Sequence, residues 1–175
     1  MQQRIINRTM LHLIILSFAF SIVSCKKFIE VKPPKTELVR ATVFENDATA
    51  TSAVLGIYEQ MLENIGSFSN GGLTLYAGLS SDEMFPATNI LYEQFYNNAL
   101  SSLNNQIRNI LWANPYTSIY QANSVIEGLA SSQKVTLPIK SQLEGEARFI
   151  RAFYHFYLLN LFGDIPLITT TDYRR

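Results

Sequence analysis

Apolar positions recur at helical spacing in three stretches of the chain. In the first, from about Glu45 to Asn64, the residues Val54, Ile57, Tyr58, Met61 and Leu62, with Ile65 just beyond, fall at i, i+3, i+4, i+7, i+8 and i+11. That spacing puts them on one stripe of a helix. Asn46 or Asp47 can cap its start, where acidic groups also suit the helix dipole. Ser67 to Gly72 then breaks the pattern with Ser, Asn and Gly. The second stretch runs from Pro115 to Ala130, and proline is tolerated in a first turn because its missing N–H would have no partner there. Tyr116, Ile119, Tyr120, Asn123, Ile126 and Ala130 share a face, on which Asn123 reads as a buried amide satisfied by nearby backbone. The third stretch, Leu137 to Phe162, carries the strongest signal. Glu144, Arg148, Arg151 and His155 form a polar stripe with an i,i+4 ion pair. The rest of that helix is so rich in Phe, Tyr, Leu and Ile that it needs cover on most sides. Gly163 follows as the terminating glycine, and Pro166 prevents continuation.

The segments between are shorter. Leu75 to Leu79 favours a helical turn, Ser80 to Pro86 a loop, and Asn104 to Trp112 a helical segment leading into the second helix. Tyr92 to Asn98 is polar and aromatic without a decisive period, and Ile165 to Thr170 reads as extended. No run suggests a sheet, so the pattern predicts an all-α fold of helix pairs. Tyr58 and Tyr92, like Tyr120 and Tyr154, stand 34 residues apart, the tetratricopeptide period.

The N-terminus follows a different pattern. Arg4 and Arg8 precede an apolar run from Met10 to Val23, which closes on Ile22-Val23-Ser24-Cys25. Charge, apolar stretch and small-residue site in that order describe a secretory signal. The run is shorter than the roughly 20 residues of a membrane-spanning helix. A cysteine directly after the small residue makes it a lipoprotein signal, with Cys25 carrying the lipid and beginning the mature chain. Several acyl chains at about 0.8 kcal/mol per buried CH₂ anchor a protein firmly. Lys26 to Arg40 contains Pro33-Pro34 and no helical period, a tether favouring extended geometry. The expected organisation is a signal peptide at 1–24, a lipidated tether at 25–40 and a helical region at 41–175.

Composition narrows the chemistry. Loss of Arg4 and Arg8 with the signal leaves 12 basic and 14 acidic residues, with no basic patch for nucleic acid. Cys25 is the only cysteine, so no intrachain disulfide holds the fold. His155 is the only histidine after the signal, and it lies mid-helix beside arginines, where it reads as structural rather than as a triad member. One histidine and one lipidated cysteine do not make a metal site. The Asp82-Glu83 and Glu144/Glu146 pairs are not positioned across a substrate like glycosidase carboxylates, and no phosphate-cradling glycine motif occurs. The residues thus predict neither enzyme activity nor a cofactor. Binding is better supplied: sugars are held by aromatic faces together with Asn, Asp and Arg groups. Tyr76, Asp82, Glu83, Phe85 and Tyr92, with Tyr96 and Asn97, bring such groups to one irregular region.

Four motifs resemble the SusD/RagB lipoproteins. They are Cys25-Lys-Lys-Phe-Ile-Glu-Val-Lys-Pro33, Ser81-Asp82-Glu83, the pattern Trp112-x3-Tyr116-x2-Ile119-Tyr120-x-Ala122-Asn123, and Glu146 to Tyr154 leading to Phe162-Gly-Asp-Ile-Pro-Leu167. The resemblance implies a mostly helical, tetratricopeptide-like scaffold. It also implies a non-enzymatic outer-membrane lipoprotein, exposed at the cell surface, that sits as a lid on a SusC-like TonB-dependent transporter and captures glycans or peptides. Trp112 and the Glu146–Pro166 motif become packing elements, and the Asp82 region becomes the ligand-side loop. Members of that family run to several hundred residues, so the resemblance covers their N-terminal part and implies a fragment. Lys26-Lys27 stands where an acidic surface-export signal would be expected. A membrane-anchored helical-repeat interaction module without a small ligand is the alternative reading.

Overall fold

A computed structural model describes residues 40–86, 90–172 and 174. The signal peptide, Cys25 and nearly all of the tether lie outside these residues. A short helix, α1 (Arg40–Val43), leads to α2 (Asp47–Glu63), a wide turn (Phe68–Gly72), α3 (Leu73–Ser80) and α4 (Ile90–Tyr96). A widened helical segment (Gln106–Ala113) then runs into α5 (Asn114–Ser131), and α6 (Leu137–Phe162) completes the helices. No strand occurs among the described residues.

Local chemistry explains the ends. The Asn46 carboxamide accepts the Thr49 N–H at 3.0 Å and caps α2. Asp47 bonds across the fold instead. Its carboxylate accepts the Thr136 N–H at 2.7 Å and the Thr136 hydroxyl at 2.8 Å, which ties the start of α2 to the start of α6. Pro115 stands in the first turn of α5, as its missing N–H allows, although the chain is already helical before it. The wide turns ahead of it, closed by Asn114 N–H to Asn109 O, relax the backbone that a proline ring would otherwise crowd. Gly163 ends α6 at φ 76°, a conformation that suits glycine, while its N–H donates to Leu159 O at 2.9 Å.

Helices α5 and α6 form an antiparallel hairpin, with Trp112 beside Phe162 at one end and Asn123 beside Arg151 midway. Helix α2 packs on both. The shared core takes Ala50, Val54 and Ile57 from α2 and Ile119, Ala122, Val125 and Leu129 from α5. From α6 it takes Leu143, Ala147, Ile150, Tyr154 and Leu158, all within a narrow sector.

The periodicity located the helices better than their buried faces. Leu62 and Ile65 project into solvent, so the α2 stripe slides back to begin at Ala50. On α5, Tyr120 is exposed, and Pro115, Ser118, Val125 and Gly128 join the interior. Tyr154 is buried while Tyr120 is exposed, so those two tyrosines do not occupy equivalent repeat positions. The polar stripe of α6 divides. Arg148 holds Glu144 at 2.6 Å near the surface, whereas Arg151 and His155 turn to the segment after Gly163.

That segment, residues 165–172, lies extended along α5 and α6, held largely through its backbone. Tyr116 donates its hydroxyl to Pro166 O at 3.0 Å, and the Asn123 amide donates to Ile168 O at 3.1 Å and Thr170 O at 3.4 Å. The Ile168 N–H donates to His155 Nε2 at 3.2 Å. Glu127 receives the Thr171 N–H at 2.8 Å and the hydroxyls of Thr170 and Thr171. Arg151 donates to Asn123 Oδ1 at 2.9 Å and closes the network. Asn123 is thus a buried amide satisfied by backbone and by a guanidinium.

Candidate functional site

The aromatic region is built by α3, the turn after it and α4. Tyr76 lies at the base with 4% of its surface exposed. Its ring packs on Phe95 at 4.7 Å and meets Tyr92 edge-on at 6.1 Å, and its hydroxyl donates to Gln106 Oε1 at 3.0 Å. Burial, then the neighbouring Tyr92, raises the Tyr76 hydroxyl's pKa. Tyr92 is half-buried beside it. Phe85 is 78% exposed and rests against Tyr96 at 5.6 Å. The predicted residues therefore assemble as two aromatic pairs, Tyr76/Tyr92 and Phe85/Tyr96. Beside Tyr76 a cavity of about 510 Å³ opens, lined by Tyr76, Ser80, Phe95, Asn98, Leu111 and Phe162 among others. The sequence pattern did not point to Leu111 and Phe162 here. Both come from distant parts of the chain and leave no local signal of a shared cavity.

Asp82 and Glu83 are exposed on the turn that follows α3. Asp82 has φ 62°, and the Glu83 N–H reaches back to Gly78 O at 3.0 Å. This is a left-handed helix-terminating turn, in which glycine is usual. A carboxylate there also faces the negative end of the helix dipole. The backbone alone would favour another residue, so the side chain of Asp82 is the part of this turn that local structure does not explain. Asp82→Gly is expected to leave the fold intact and to raise stability by up to roughly 1 kcal/mol. Urea unfolding checks this, and a clear loss of stability would make Asp82 a structural residue.

His155 engages both ring nitrogens with backbone: Nδ1–H donates to Arg151 O at 2.9 Å, while Nε2 accepts from Ile168. Burial, then the nearby Arg148, lowers the pKa of Arg151. No group of three or more His, Cys, Asp or Glu residues suited to a metal ion occurs among the described residues. Among the same residues, no helix is long and apolar enough to cross a membrane.

These features define an all-α scaffold of packed helix pairs that displays an aromatic and acidic turn region. Residues 27–174 match the SusD-like family described as "Starch-binding associating with outer membrane". The chain belongs to this family. A SusD-like protein of Formosa agariphila is 27% identical over 157 residues, which is 86% of this chain and 29% of that relative. A SusD-like protein of Bacteroides ovatus is 24% identical over 158 residues, 89% of this chain and 28% of the relative. The chain thus spans less than a third of the length of these curated relatives. No solved structure matches it.

Within the family pattern, Trp112 packs on Tyr116 and Phe162 at 5.1 and 5.0 Å, and Tyr116, Asn123, Arg151 and His155 grip the segment that follows Gly163. The Trp112–Asn123 motif and the Glu146–Leu167 motif are therefore partners in one packing unit.

Proposed function

We propose that this chain is the N-terminal helical part of an outer-membrane surface lipoprotein that captures glycans or other nutrients, peptides included. Import would proceed through a SusC-like TonB-dependent transporter. The family match over residues 27–174, with its starch-binding and outer-membrane description, is the observation that carries this reading. Cys25 is the lipid attachment point, and residues 25–40 hold the helices off the membrane. The chain acts by binding and not by catalysis.

Ligand contact is assigned to the turn region. The exposed face of Phe85 and the half-buried ring of Tyr92 offer apolar surface to a sugar's C–H groups, and Asp82 and Glu83 accept from its hydroxyls. Tyr76 supports Tyr92 and borders the cavity. Calorimetry against a panel of oligosaccharides tests this. Phe85→Ala and Tyr92→Ala are expected to weaken binding by roughly 1–3 kcal/mol, as loss of a well-placed aromatic contact does. Tyr76→Ala is a poor probe, because it also removes a core ring. Binding unchanged in both variants would move the ligand elsewhere, and binding to no oligosaccharide would favour a helical interaction module.

A further inference from the structure

Helix α6 carries two apolar stripes, and the fold uses one. Its buried stripe is Leu143, Ala147, Ile150, Tyr154 and Leu158. Gly145, Phe149, Ala152, Phe156 and Leu159 follow one another at spacings of four, three, four and three, and all five are exposed. Phe149 is 68% and Phe156 61% exposed. At about 100° per residue this second stripe lies opposite the first, and it extends about 21 Å along the helix. The Glu144–Arg148 ion pair forms a polar edge on one side. Alternating spacings of three and four are those of a seam that receives another helix at a shallow crossing angle. Small residues at Gly145 and Ala152 leave hollows between the large ones, as such packing requires.

We infer that this seam is the face on which the remainder of the SusD-like fold packs, through a helix with apolar residues at the same spacing. The matched relatives are more than three times as long as the segment they share with this chain. Helix-pair scaffolds bury each pair's outer face beneath the next. The seam lies on the side of α6 away from α2 and α5, so a further helix reaches it without displacing the core. This inference rests on the family reading of the chain as an N-terminal part.

Two measurements test it. The chain is expected to bind an apolar fluorescent dye, and Phe149→Gln with Phe156→Gln is expected to remove much of that signal while helical circular dichroism stays the same. An undiminished signal would overturn the seam as the exposed face. In the whole Formosa agariphila relative, a photo-crosslinking residue at the position aligned with Ala152 is expected to crosslink within its own chain, to a segment outside the 157 aligned residues. Crosslinks only to a second copy, only to another protein, or to nothing would each overturn the inference. Glycan binding is read separately by calorimetry, so loss of the seam and loss of the nutrient-capture reading are told apart.

Discussion

Replacing Asn123 by leucine is expected to cost roughly 2–4 kcal/mol of stability, although the two side chains are similar in size. Asn123 is fully buried and serves both sides of the α5–α6 groove. Its oxygen accepts from Arg151, and its amide donates to the carbonyls of Ile168 and Thr170. Leucine leaves a partly buried guanidinium facing hydrocarbon and two carbonyls short of a donor. Urea unfolding measures the loss, and hydrogen exchange locates it: the Ile168 amide, bonded to His155, should exchange faster than the amides of α6. Asn123→Asp separates the two roles. A carboxylate still accepts from Arg151 but repels the two carbonyls, so the extended segment should loosen with a smaller global loss. Equal effects from both variants, without faster exchange at Ile168, would show that Asn123 acts only through core packing.

Gly128→Ala is expected to destabilise the fold by about 1–2 kcal/mol, even though alanine is the better helix former by roughly 1 kcal/mol. A Cβ at Gly128 would overlap the ring of Phe44, which lies across α5 at that point. Phe44 is itself core, and its carbonyl accepts the Ser132 hydroxyl at 2.7 Å. An added methyl must therefore push out the ring that attaches the start of the helical region to α5. A double-mutant cycle makes the test specific. In a Phe44→Ala background the overlap disappears, and Gly128→Ala should become stabilising by up to about 1 kcal/mol as helix propensity takes over. Destabilisation that persists in that background would rule out the Phe44 contact as its cause.

Neither contact could be paired from local sequence. Sequence alone placed the three long helices nearly to the residue, including α6 from Leu137 to Phe162, and narrowed the first cap to Asn46 or Asp47, because hydrogen bonding and side-chain period in a helix are local properties. It also placed the chain in its family, because the motifs hold their order. Which face each helix buries was decided by tertiary structure. Leu62, Tyr120 and Phe149 have the hydrophobicity of core residues and are exposed, since an amphipathic period fixes a stripe's direction only once a partner covers it. The same holds at the candidate site: the residue types at 76–92 were legible, but the burial of Tyr76 depends on Phe95 and Gln106. The segment 165–172 is the clearest case. An extended chain satisfies few of its own backbone groups, so its course is set by partners such as Tyr116, Asn123 and Glu127, more than 40 residues earlier, which only the folded molecule brings to it.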